Sequence, residues 1–210
     1  MAIAFRSEAF TGGAPGTTLT PSKPAGAQPG DQLVMAFLID NAAKAVSAAG
    51  WTLIRNDTDA TKGNQAILYC RTEDGSALGA VTWDGTSIYR SATVLAYSGV
   101  DAGTPINAHS GQVNAAAAAV DAPSMTTTLA NCMGVWVGND DYGGTITLPA
   151  GYADRKLNGF DMQPGDKLLV AAGATGVVSG THAANRSQGQ QVALAPSAPG
   201  SASKLMLGIG

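Results

Sequence analysis

Short apolar runs separated by turn residues recur along the chain. Leu33–Ile39 is a continuous apolar run that follows the turn residues Pro-Gly-Asp. Its length suits a strand that is buried on both faces. Ala66–Arg71 is followed by Asp74-Gly75, and Arg90–Tyr97 is followed by Ser98-Gly99, and both dipeptides are turn signals. This first half of the chain therefore predicts a succession of β-strands.

The second half continues the same pattern. Strands are predicted for Ser124–Leu129, Met133–Val137, Thr145–Leu148, Lys167–Ala172 and Gln190–Leu194. Near the end of the chain, Leu205, Leu207 and Ile209 occupy alternate positions, which predicts a last strand held in a sheet. Strands at this spacing, with turn dipeptides between them, favour an all-β fold: an antiparallel β-sandwich, jelly-roll-like.

Two segments depart from the pattern. Ala115–Ala119 is a run of the best helix former, but it is bracketed by Asn114 and Pro123 and is too short for a stable isolated helix. We predict a linker or a closely packed strand there, with one helical turn as the alternative. Residues 11–30 are rich in Pro, Gly and Thr and predict an extended N-terminal arm or loop. Such an arm covers an edge strand or lies across a neighbouring subunit.

The two halves of the chain also resemble each other weakly. The stretch GWTLIRNDTD begins 101 positions before GYADRKLNGF (151 − 50 = 101), so that Trp51 aligns with Tyr152. We interpret this as a pseudo-repeat of about half the chain, an internal duplication of 28–107 and 124–200. Both copies would lie within a single domain, 1–210.

Composition agrees with strands and excludes several classes of protein. Charged residues make up 13% of the chain, about half the usual share. The net charge is −3 and the basic residues are scattered, so no nucleic-acid partner is predicted. The N-terminus lacks the pattern of a secretory signal, and no apolar run approaches the ~20 residues of a membrane span. Cys70 and Cys132 each lie in an apolar run and predict two buried, inert thiols.

The motifs of common enzymes are missing from the sequence. His109 and His182 are predicted to lie in loops, with no second metal-type ligand nearby, although a Ser-His-Asp triad stays open because its members need not be close in sequence. Asp57-Thr58-Asp59 starts like a calcium loop, but Lys62 and Leu68 occupy positions where that loop needs Gly and Glu. A turn is predicted there instead. We name no catalytic residue, no metal ligand and no cofactor, and the prediction is a non-enzymatic protein.

The segment that most resembles a binding site is Asn139, Asp140, Asp141 and Tyr142. It follows the apolar strand that carries Trp136 and is predicted to form an exposed loop. Carboxylates and amides hydrogen-bond sugar hydroxyls, and an aromatic face stacks on a sugar ring. The segment is therefore a candidate glycan-binding loop, with an ordinary polar turn as the alternative. The other aromatic residues at strand positions are predicted to be core: Trp51, Trp83, Tyr69 and Tyr97.

Residues 28 to 107 contain four short motifs in order: a Gly-Asp strand start, a Gly-Trp-Thr strand, a Tyr-x-Arg strand and an Ala-Tyr-x-Gly-Val-Asp strand end. Their positions are Gly30, Asp31, Gly50, Trp51, Thr52, Tyr69, Arg71, Ala96, Tyr97, Gly99, Val100 and Asp101. In this order they resemble a β-sandwich module found in virion proteins of tailed bacteriophages. The family's usual Pro before Gly-Trp is replaced here by Ala49, whereas Pro149-Ala150-Gly151-Tyr152 keeps a similar pattern.

The resemblance implies a structural component of a bacteriophage particle: a head decoration, a fibre or a tail appendage. Its implied partners are other virion proteins of the capsid or tail, further copies of the chain and a host-surface glycan. The implied location is the virion, after assembly in the host cytoplasm. The alternatives are a stand-alone carbohydrate-binding module and a polysaccharide hydrolase.

Overall fold

A computed structural model describes residues 2–40, 44–87, 89–140, 144–156 and 162–198. Every helix or strand within these ranges is a β-strand, so the predicted all-β class is confirmed. The strands are β1 (Ala4–Gly12), β2 (Gly16–Leu19), β3 (Gln32–Asp40), β4 (Val46–Ala48), β5 (Thr52–Asp59), β6 (Asn64–Thr72), β7 (Val81–Ser87), β8 (Arg90–Ser98), β9 (Ile106–Ala122), β10 (Thr126–Thr127), β11 (Cys132–Asp140), β12 (Ala153–Asp154), β13 (Met162–Leu169), β14 (Gly173–Ala174) and β15 (Val178–Leu194). The predicted strand at 204–209 lies outside the described residues.

The described strands form two large antiparallel sheets. The first has the order β1-β8-β3-β6-β5, and the second has the order β12-β13-β11-β15-β9. Read from its other edge, the second sheet places β9, β15, β11, β13 and β12 where the first places β1, β8, β3, β6 and β5. The two sheets therefore repeat one strand order in the two halves of the chain. That the halves arose by duplication stays a prediction.

The two large sheets pack face to face around a shared apolar core. The first sheet contributes residues such as Val34 and Leu68, and the second contributes Val135 and Val192. Their central strands, β3 and β11, are buried along almost their whole length. This explains why both strands have continuous apolar runs rather than alternating patterns, because each is covered on both faces.

A smaller sheet covers the outer face of the first large sheet. It has the order β2-β7-β4, and the apolar side chains between the layers include Phe37, Ile67 and Trp83. The chain crosses between this small sheet and the first large sheet at most of its early connections. The antiparallel sandwich is observed, whereas the jelly roll stays a prediction.

The outer face of the second large sheet has its own apolar cluster. Trp136 is fully buried there and packs with Val120, Ile146 and Val178. Two glycines, Gly138 and Gly180, border its indole so closely that a Cβ on either would lie within 2.5 Å of the ring. The large ring therefore occupies the space that the missing side chains leave.

The predicted arm, residues 11–30, contains strand β2 and is fastened to neighbouring strands. The backbone N–H of Gly26 donates to Ser7 Oγ on β1 at 3.0 Å, and that of Ser22 donates to Thr11 Oγ1 at 2.7 Å. Arg6 of β1 reaches Asp31 at 2.8 Å. The arm therefore runs beside the edge strand β1 of the same chain.

Several local predictions were wrong. His109 and His182 lie in strands β9 and β15, not in loops. Asp57–Asp59 ends strand β5, and the turn comes after it. The long strands β9 and β15 continue through polar residues because their pairing tolerates irregularities. Register shifts on either side of Asn185 let the two strands resume pairing. For the same reason Ala115–Ala119 is part of the continuous strand β9, as one of the predicted alternatives had it, but the run is mostly exposed rather than closely packed.

The lengths of the smaller predicted strands also differ from the structure. Only Thr126–Thr127 of the segment 124–129 is a strand, and the segment 145–148 makes a single bridge from Thr147 to Thr181. The strand predicted at 167–172 instead spans Met162–Leu169. The predicted core positions are confirmed for Trp51, Trp83, Tyr69 and Tyr97, and both cysteines are buried free thiols.

Candidate functional site

The candidate glycan-binding loop is divided by the end of strand β11. Asn139 and Asp140 belong to that strand and are only 3% and 2% exposed. The expectation that they lie on an exposed loop is therefore wrong, because β15 pairs with β11 up to Asp140 and Ser187. Asp141 and Tyr142 lie outside the described residues. Any glycan contact in this segment would have to come from its second half.

Asp140 instead faces a histidine in the protein interior. Its Oδ2 lies 3.2 Å from His182 Nδ1, and both side chains are fully buried. Neither ring nitrogen of His182 hydrogen-bonds a serine hydroxyl within the described ranges. The nucleophile–base hydrogen bond that defines a Ser-His-Asp triad is thus not formed at this histidine. The pair joins the end of β11 to β15.

The other histidine lies in a polar cluster at one rim of the two large sheets. Arg55 donates two hydrogen bonds of 2.6 Å to Asp57 and one of 2.9 Å to the carbonyl of Gly111. Its Nη1 lies 3.4 Å from His109 Nδ1. Burial and the adjacent Arg55 charge lower the pKa of His109. Gln190 donates to Asp57 at 2.6 Å, so this cluster fastens β5 of one sheet to β9 and β15 of the other.

A second ion pair lies beside this cluster. Arg186 of β15 donates two hydrogen bonds, of 2.8 and 2.9 Å, to the carboxylate of Asp59 on β5. Burial alone would raise the pKa of Asp59, but the bonds from Arg186 and from the backbone N–H groups of Lys62 and Thr61 lower it. Asp59, which resembled a calcium ligand in the sequence, is therefore an anchor for an arginine of the other sheet.

The opposite rim has its own polar anchor. Arg155 donates hydrogen bonds of 2.8 and 3.0 Å to Asp166, and the Tyr97 hydroxyl donates to the same carboxylate at 3.0 Å. The guanidinium carbon of Arg155 lies 4.0 Å from the ring centroid of Phe5 on β1. Burial raises the pKa of Tyr97 well above its ordinary value, and the Asp166 charge adds to that effect. These contacts join the two sheets at their second rim.

A shallow groove lies at the start of β5. It is bordered by the turn Ala48–Trp51 and by residues 74–79, and we call it the first-half groove. The guanidinium carbon of Arg71 lies 5.9 Å from the centroid of the Trp51 ring. The Nη2 of Arg71 donates to Asp74 Oδ1 at 2.9 Å and to Ser76 Oγ at 3.1 Å. The groove therefore has an arginine held in place from two sides.

The second half of the chain has a groove at the corresponding place, which we call the second-half groove. It is lined by Tyr152, Lys167, Leu169, Thr175, Val177, Val178 and Ser179, together with Pro149 and Ala150. Lys167 Nζ lies 5.9 Å from the ring centroid of Tyr152. Burial raises the pKa of Tyr152 to about 12. Its walls are more apolar than those of the first-half groove.

The same backbone turn opens both grooves. The N–H of Trp51 donates to the carbonyl of Ala48 at 3.2 Å, and the N–H of Tyr152 donates to that of Pro149 at the same distance. The third residue of each turn is a glycine with positive φ, 75° at Gly50 and 80° at Gly151. A left-handed residue at this position is the signature of a type II turn.

The correspondence of Trp51 with Tyr152 was predicted from the sequence, whereas the two turns and the two grooves were not. The offset of 101 aligns Trp51 with Tyr152, whereas the cations above those rings are 96 positions apart (167 − 71 = 96). Strand β5 and its connection to β6 differ in length from β12 and its connection to β13, which hides the pair from an alignment at one offset. No signal in the sequence places Arg71 over Trp51.

Membrane spans and metal clusters were also considered as features of the described residues. No described helix is long and apolar enough to span a membrane. No cluster of three or more His, Cys, Asp or Glu side chains within those residues is placed to hold a metal ion. Comparison with protein-family models, curated proteins and solved structures gave no match.

Proposed function

We propose that the protein is a non-enzymatic structural component of a bacteriophage particle, a head decoration, fibre or tail appendage. One observation carries the proposal: two large sheets share one apolar core and are joined at one rim by the Arg186–Asp59 ion pair and at the other by the Tyr97–Asp166 hydrogen bond. Such a body is suited to transmitting load and presenting surfaces rather than to opening and closing around a substrate. The resemblance of residues 28–107 to phage virion modules supports the same role.

The use of charge in the structure also supports a scaffold. Among the described residues, these Lys and Arg side chains form ion pairs with carboxylates: Arg6, Lys23, Arg55, Arg71, Arg155 and Arg186. Cations that are paired within the molecule do not form the free basic surface that a nucleic acid requires. Charge in this protein mainly connects one part of the chain to another.

The partners in this proposal are other virion proteins and further copies of the chain. Leu168, Val170 and Val177 are among the exposed large apolar residues of the described chain, and they lie near the second-half groove. Exposed apolar residues grouped in one region are typical of protein-binding surfaces. Symmetric contacts through such a surface would place several copies on one particle.

Immunogold electron microscopy of purified phage particles tests the proposal. Antibodies against the protein are expected to label one place on every particle, the head surface or the tail. Particles of an unrelated phage are the control and should remain unlabelled. Absence of label from detergent-free, intact particles would contradict the proposal, as would hydrolysis of a polysaccharide by the purified protein.

Contact with a host-surface glycan is the second part of the proposed function. The favourable observation is the first-half groove, where hydroxyl, carboxylate and guanidinium groups lie together at the surface. Asp141 and Tyr142 remain further candidates for such contact.

A further inference from the structure

We propose that the first-half groove is a binding site for a neutral saccharide, organised by Arg71 and Asp74. This inference deepens the proposed contact with host-surface glycan, and it rests on that function only for the source of the sugar. The protein's own hydrogen bonds leave several polar atoms of this groove available to a ligand.

Asp74 supplies the acceptor. Three hydrogen bonds, from Arg71 Nη2 and from the N–H and hydroxyl of Ser76, all end on its Oδ1. These bonds and the Arg71 charge lower the pKa of Asp74, those from Ser76 most of all. The residue is exposed, and no hydrogen bond from another described residue is found at Oδ2. An ionised carboxylate oxygen therefore faces the groove from a fixed position.

Arg71 supplies the donor. Its side chain is only 8% exposed, and Nη2 makes the bonds to Asp74 and Ser76. Nη1 lies on the other side, above Gly50, at 3.6 Å from where a Cβ would be. Nε is buried and has no hydrogen-bond partner among the described residues. The guanidinium is thus held in one orientation with donor capacity left over.

The remaining lining consists of small and hydroxyl-bearing residues. Thr52 and Thr72 line the groove with Ala77, and all of them are exposed. A donor, an acceptor and hydroxyl groups spaced along a shallow surface match the adjacent hydroxyls of a sugar, each of which donates one hydrogen bond and accepts others. A flat apolar ligand would leave these polar groups without partners, which is costly.

A neutral saccharide fits this groove better than an acidic one. The Arg71 charge is already balanced by Asp74 at 2.9 Å, so an additional carboxylate would find no unpaired cation there. The same carboxylate would lie near the ionised Asp74, and like charges at short distance repel. The second-half groove differs, because Leu169, Val177 and Val178 stand in its walls. We therefore assign sugar binding to the first-half groove alone.

Binding of the full-length protein to an array of neutral and uronic-acid oligosaccharides tests this assignment. Wild-type protein is expected to bind at least one neutral oligosaccharide, with affinity then measured by calorimetry on that compound. Asp74→Asn, which keeps the shape of the side chain, and Thr52→Trp, which fills the groove, should each weaken binding at least tenfold. Val177→Trp fills the second-half groove instead and should leave binding unchanged. All three positions are exposed, so melting temperatures should match that of wild type.

The outcomes separate this inference from the proposed function. If no neutral oligosaccharide binds, or if binding survives both Asp74→Asn and Thr52→Trp, the assignment is wrong. Preferential binding of uronic-acid oligosaccharides would also overturn it. Labelled particles without sugar binding would leave the structural function standing while the inference fails. If the protein binds a neutral sugar but its antibodies never label particles, the inference stands and the proposed structural function fails.

Discussion

Lys167 lies over the ring of Tyr152, with its Nζ 5.9 Å from the ring centroid. In the first half of the chain, the guanidinium carbon of Arg71 lies over Trp51 at the same distance. In each case the aromatic residue follows a glycine with positive φ that closes a turn. The two halves thus use one local arrangement, in which a cation covers the aromatic face, although the residue types differ.

The turn glycines should contribute similarly to stability. An L-residue with a side chain in the left-handed region costs about 1–2 kcal/mol. Gly50→Ala and Gly151→Ala should each therefore lower the free energy of unfolding by about that amount, as measured by urea denaturation. Gly103→Ala is the matched control, because that exposed glycine does not have positive φ. A loss at only one of the two turns would contradict their equivalence.

Trp136 makes the second half sensitive to any added side chain at its bordering glycines. A Cβ at Gly138 or Gly180 would lie 2.4 or 2.5 Å from Trp136 Cη2, and at Gly180 it would also lie 2.8 Å from the carbonyl oxygen of Thr147. Overpacking of this kind typically costs about 1–3 kcal/mol. We expect Gly180→Ala to lower the melting temperature. It should also change the tryptophan fluorescence of the protein through the displaced ring of Trp136. Unchanged stability together with unchanged fluorescence would show that the ring is not held as described.

The Arg186–Asp59 pair should make stability depend on acid. The folded-state pKa of Asp59 is lowered below 3.8, so its contribution is fully present above about pH 4 and is lost as the pH falls through the folded-state value. Asp59→Asn should reduce stability at pH 7 by about 2 kcal/mol, since it weakens a pair that joins the sheets. It should also flatten the decline in stability below pH 4. Thermal unfolding measured between pH 2 and 7, in steps of about half a pH unit, tests both effects.

Tyr97 should make stability depend on alkali. Its folded-state pKa is raised above 10, so its contribution is present below about pH 10 and is lost as the pH rises towards the folded-state value. Tyr97→Phe removes the hydroxyl that donates to Asp166, and we expect a loss of about 1 kcal/mol at pH 7. The variant should also show a shallower fall in stability above pH 10 in denaturant titrations. An identical alkaline profile in both proteins would exclude Tyr97 as the source.

Much of the fold could be predicted because strand patterns and turn chemistry are local. The run at Leu33–Ile39 became strand β3, and the glycines of the predicted turn dipeptides Asp74-Gly75 and Ser98-Gly99 have positive φ. The aromatic residue at Tyr97 is buried as its strand position predicted. These outcomes depend on residues within one strand or turn, whose preferences act over a few positions.

The candidate site was predicted less well because its burial depends on pairing between distant strands. Asn139 and Asp140 follow an apolar run, and their polar side chains are typical of the start of a loop. In the structure β15 pairs with β11 as far as Asp140, so both residues belong to the sheet. Likewise, His182 has no metal-type neighbour in the sequence but lies against Asp140 in the structure. Polar residues continue a strand when a partner strand and a register shift satisfy their backbone groups.

The order of residues was enough to predict antiparallel strands, the burial of four aromatic side chains and turns at dipeptides such as Asp74-Gly75. Three other features depend on how the whole chain folds: which strands are neighbours, the packing of the two halves through their large sheets, and the groove with a fixed arginine beside Trp51. The two groups differ because their interactions act over different separations along the chain. Alternation and turn propensity act between neighbours in the chain, whereas Arg186 meets Asp59 across 127 positions only after two sheets have packed together.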